Sequence, residues 1–74
     1  MPMPKPMSST EYGRSLEALG FSNRAFCLEV LDVSDRAGRH WLDGTNPVPG
    51  SVAAVLRLAV RLKLTPDKLR ELVK

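Results

Sequence analysis

Helix start and stop residues punctuate this chain so closely that only short helices fit between them. Ser8-Ser9-Thr10-Glu11 has the form of a capping box, in which the serine hydroxyl and the glutamate carboxylate satisfy each other's exposed amides. Met7 and Tyr12 stand at the two positions of a hydrophobic staple. Tyr12, Leu16 and Leu19 then recur at helical spacing up to Gly20, where a left-handed residue would end the run, so the first helix is predicted over 9–19. Ser22 or Asn23 caps a second helix, with Phe26, Cys27, Val30 and Leu31 as its buried stripe and an end near Asp32. Ser34 and Gly44 bracket a third helix, and Asn46-Pro47-Val48-Pro49-Gly50 forces an extended break after it, because proline disfavours helical geometry in the preceding residue. The fourth helix runs from Pro49 or Ser51 to Lys63, apolar on more than one face and therefore expected at the centre of a bundle. Thr65-Pro66-Asp67 starts a fifth, over 66–73, expected to bury Leu69, Leu72 and Val73. With no strand pattern and no internal repeat, the expected fold class is all-α: a five-helix domain over 8–74 after an extended, proline-alternating tail over 1–7.

A chain of 74 residues is close to the size at which one core supplies only about 3–5 kcal/mol, so self-association is expected on stability grounds. The positive charge is unevenly placed: residues 1–33 carry three basic and four acidic side chains, residues 34–74 eight and four. Cys27 and His40 are the only cysteine and histidine, which excludes an intramolecular disulfide and a four-ligand zinc site of those residues. Cys27, on the apolar stripe, reads as a small hydrophobe. There is no nucleophile–base pair, carboxylate cluster or glycine-rich phosphate loop, so no enzyme activity, metal or cofactor is expected. No apolar run approaches the roughly 18 residues of a membrane span, no secretory segment opens the chain, and the cytoplasm is the simplest home.

The third helix, 34–43, has two opposite faces. At about 100° per residue, Asp35, Arg36, Arg39, His40 and Asp43 fall within an arc of roughly 140°, while Ala37, Gly38, Trp41 and Leu42 fall on the other side. Such a helix fits the major groove of double-stranded DNA, where an arginine reads guanine through two parallel donors. Arg36, Arg39, His40 and Asp35 are the expected base contacts, against simple solvation or Asp–Arg pairing on the same face. Ser22, Asn23, Arg24 and Ser34 at helix starts, and Thr45 and Asn46 in the following loop, are the expected phosphate contacts, although capping and turn chemistry account for several equally well. Arg57, Arg61 and Lys63 read as the solvated edge of the fourth helix.

Leu31-Asp32-Val33 alone separates helices two and three. Together with Val33-Ser34, Arg39-His40-Trp41-Leu42, Gly44 and Pro47-Val48-Pro49, this arrangement resembles the lambda repressor and Cro family of helix-turn-helix regulators over about residues 11–64. Ser34-Asp35-Arg36 is also similar to repressors associated with anti-CRISPR operons. The resemblance implies a small prokaryotic or phage regulator, a repressor, whose third helix enters the major groove while the start of the second touches phosphate. The chain departs from the family in having Asp32 where glycine is usual in the turn, Asn23 or Arg24 in place of a glutamine at the start of helix two, and Gly38 where a branched aliphatic normally sits. Either the helices approach closely at Gly38 or the third helix is soft there. A homodimer through Leu62, Leu64, Leu69 and Leu72 is expected, with a protein-interaction module, antitoxin-like or polymerase-associated, as the other reading.

Overall fold

A computed structural model of the chain describes residues 6–73. Every described element is helical: α1 (Ser9–Leu19), α2 (Asn23–Ala25, continuing without a break into a π-helical stretch Phe26–Leu31), α3 (Asp35–Asp43), α4 (Gly50–Arg61) and α5 (Pro66–Leu72). The caps lie where the sequence places them. Ser8 Oγ accepts from the Glu11 amide at 3.1 Å, Ser22 Oγ from Ala25 at 3.1 Å and Thr65 Oγ1 from Lys68 at 3.1 Å, while Gly20 and Gly44 end α1 and α3 at φ 81° and 84°. Two caps differ. Ser34 occupies the N-cap of α3 in extended geometry without a side-chain cap bond, and the Glu11 carboxylate turns away from its expected capping role to meet Arg57 on α4.

The turn between α2 and α3 is Asp32–Ser34, with Leu31 still helical. Asp32, in this turn, takes the left-handed conformation, φ 54° and ψ 44°. The π-helical turn ends with the Cys27 carbonyl accepting from both Asp32 and Val33 amides.

The core forms where α1 packs on α3 and α4 and where α2 packs on α3, with α5 laid against the π-helical stretch. Tyr12, Phe26, Cys27 and Leu56 are fully enclosed. The Tyr12 ring meets Trp41 and Phe26 edge-on, with centroids 5.6 and 6.4 Å away, and Phe26 meets Phe21 at 5.7 Å in the same manner. These rings tie α1, α2 and α3 together before any polar contact is considered.

The apolar pattern of the C-terminal third overstated its burial. In α4, Val52, Ala53, Leu56 and Ala59 face the core, but Leu58, and Leu62 just past the helix end, are 58% and 59% exposed, so the helix lies along one side of the bundle and not at its centre. In α5 only Leu69 is buried; Leu72 and Val73 stay in solvent. Leu42 in α3 is likewise exposed, at the edge of the α1 contact beside Gly13. Of the expected tail, residues 1–5 lie outside the described residues, and Met7 belongs to the core as the staple requires. No helix among the described residues is long and apolar enough to cross a membrane.

Candidate functional site

The polar face of α3 stands open to solvent. Arg36, Arg39, His40 and Asp43 line a shallow surface groove along it, while Gly38 and Trp41 point inward. Arg36 has no hydrogen-bond or ionic partner among the described residues, and Arg39 makes only an exposed i,i+4 contact of 3.7 Å with Asp35. Such a pair contributes about 0.3–0.5 kcal/mol and leaves the guanidinium free to be drawn elsewhere. Ser34, with its hydroxyl outside the cap, stands at the same end of the helix.

The loop after α3 is fastened back onto that helix. The Thr45 amide donates to Asp43 Oδ1 at 2.8 Å, and the Asn46 amide to the His40 carbonyl at 3.2 Å. Asn46 Nδ2 lies 3.4 Å from His40 Nδ1. The hydrogen bonds from Thr45 hold the Asp43 carboxyl below the ordinary carboxylate range. Thr45 and Asn46 thus brace the C-terminal end of α3, and what they offer a ligand is limited to what that bracing leaves.

At the start of α2 the expected phosphate contacts separate. Arg24 is exposed and has no partner among the described residues, and Ser22 is exposed with its hydroxyl engaged in the cap. Asn23 is a correction: its side chain turns inward. Oδ1 accepts from the Tyr12 hydroxyl at 3.0 Å and lies 3.6 Å from Cys27 Sγ, and Nδ2 donates to the Asp35 carbonyl at 3.0 Å. Sequence reasoning placed Asn23 by its helix-start position alone. The signal that could have found its true role is Gly38, since the missing side chain on α3 is what makes room for it.

That room is narrow. A Cβ built on Gly38 would lie 2.5 Å from Cys27 Sγ and 2.8 Å from Asn23 Cγ, and would overlap Asn23 Oδ1. Of the two sequence-level explanations for this glycine, close approach is the one realised. Burial pushes the Cys27 thiol and the Tyr12 phenol above their ordinary values, so both remain protonated.

The expected dimer residues also divide. Leu62 and Leu72 are exposed, Leu64 is half-buried against the core, and Leu69 is 5% exposed and belongs to the monomer's own interior. No group of acidic, histidine or cysteine side chains able to hold a metal ion occurs among the described residues. Comparison with protein-family models, curated proteins and solved structures finds no match to this chain.

Proposed function

We propose that this protein is a sequence-specific regulator of transcription, a repressor, that binds double-stranded DNA with α2 and α3 as a helix-turn-helix of the lambda repressor and Cro type. The observation that carries this reading is the face of α3: Arg36, Arg39 and His40 lie side by side on a short, well-anchored helix, with Arg36 engaged by no interior group. An arginine held open on a helix of major-groove width suits bidentate contact with guanine. Arg24 at the start of α2 and Ser34 at the start of α3 are the phosphate contacts that remain once Asn23 is withdrawn, with Ser22, Thr45 and Asn46 beside them at the edges of the same surface.

The chain acts as a two-fold dimer in this reading, through Leu58 and Leu62 at the end of α4 and Leu72 and Val73 at the end of α5, whose apolar surface the fold leaves uncovered and whose burial would add to the small core of a domain of this size. Two α3 helices about 34 Å apart would then meet successive turns of an inverted-repeat operator. Selection of binding sites from random duplex DNA tests the proposal, and the expected result is an enriched inverted repeat. Its affinity should fall steeply with added salt, the logarithmic slope growing by about 0.9 per phosphate contacted. A salt-insensitive interaction with a protein and no enriched duplex would instead support the interaction-module reading.

A further inference from the structure

We propose that Asn23 is a positioning residue that sets how α3 lies across α1 and α2, and so aims Arg36, Arg39 and His40. This rests on the DNA-binding reading for the consequence, but not for the geometry. One side-chain amide joins three helices: it receives the α1 hydroxyl of Tyr12, gives its own N–H to the carbonyl of Asp35 in the first turn of α3, and itself starts α2. Both distances are 3.0 Å, and burial keeps the Tyr12 hydroxyl a donor. Gly38, one turn further along α3, lets that helix come down until its backbone rests against Asn23 and Cys27.

The consequence is orientational. Apolar contacts around Trp41 hold α3 to the core, but burial of apolar surface is by itself non-directional. A hydrogen bond has direction. The bond to the Asp35 carbonyl fixes the N-terminal end of α3, the end that carries Arg36. An asparagine at the start of α2 thus contributes to recognition from inside the protein, without touching the ligand.

The test compares wild type with Asn23→Ala and, should that variant fail to fold, Asn23→Ser, whose hydroxyl is too short to reach both Tyr12 and Asp35. Amide exchange measured by NMR well below each melting temperature should rise about tenfold or more at residues 39–43 of α3, relative to residues 55–59 of α4. In parallel, the preference for the selected duplex over random duplex should drop about tenfold while low-salt binding to random duplex persists. A purely structural role would loosen α3 and α4 alike and leave the preference intact in the folded fraction; either result overturns the proposal. If the wild-type chain binds no duplex, the DNA reading fails, while selective exchange in α3 still decides whether Asn23 holds the helix.

Discussion

Arg57 on α4 grips Glu11 on α1 at two points, Nε 2.9 Å from Oε2 and Nη2 3.1 Å from Oε1. The hydrogen bond from Arg57 holds the Glu11 carboxyl below its ordinary value of 4.5. A carboxyl whose folded value is depressed stabilises the fold above its unfolded value, and that contribution disappears as the pH falls through the folded value. Thermal unfolding followed by circular dichroism should therefore show the melting temperature falling below about pH 4.5, with Glu11→Gln flattening that limb. The pair is partly exposed, so added salt should shrink the difference between the two proteins.

Gly38→Ala is expected to destabilise the protein by about 1–3 kcal/mol, because the methyl has nowhere to go without displacing Asn23 and Cys27. Intrinsic helix preference alone gives the opposite sign, a gain of up to about 1 kcal/mol. Urea denaturation decides between them, and a raised midpoint would show that α2 and α3 separate easily.

Lys63, just beyond α4, has φ 53°, a left-handed conformation with no side-chain reason to prefer it. Lys63→Gly should raise stability by up to about 1 kcal/mol, the relief of strain exceeding the added freedom of the unfolded chain. The expected gain at Asp32, also left-handed, is smaller, since aspartate tolerates that region better.

Arg36→Ala should weaken binding to the selected operator by about 1–3 kcal/mol and relax preference at one base position. Arg24→Ala should weaken binding to all duplexes alike, because a phosphate contact carries no base information. Fluorescence anisotropy with operator and scrambled duplexes separates the two patterns.

Leu62 and Leu72 should matter to assembly and Leu69 to folding. Analytical ultracentrifugation should show wild type as a dimer and the double variant Leu62→Asp/Leu72→Asp as a folded monomer. Leu69→Ala, in contrast, should cost about 2–5 kcal/mol of stability, because it empties a core position.

The helix boundaries were legible because their signals are local: Ser8, Gly20, Ser22, Gly44 and Thr65 act within a turn of themselves. The open face of α3 was legible for the same reason, as angular position follows from spacing alone. What escaped was decided by partners distant in sequence. Nothing near Glu11 announces Arg57, and nothing near Asn23 announces Tyr12 or the Asp35 carbonyl. Leu69 and Leu72 share a helix and a side-chain type, and only the packing of α5 against α2 separates the buried one from the exposed one. Arg70 shows how that packing is fixed: it bonds Glu29 at 2.8 Å and Asp67 at 3.0 Å while lying over the Phe21 ring, 5.3 Å from its centre.

The filled space at Gly38 makes positions 23, 27 and 38 a single unit of variation. A larger residue at any one demands a smaller one at another, so the viable sequences form a coupled set in place of three independent choices. Gly38→Ala combined with Asn23→Ala should cost less than the sum of the two single changes, because the side chain that overlaps the new methyl is gone. A library randomised at these three sites and selected for folding would return correlated triplets, and a lineage drifting through this part of sequence space would have to change them in concert.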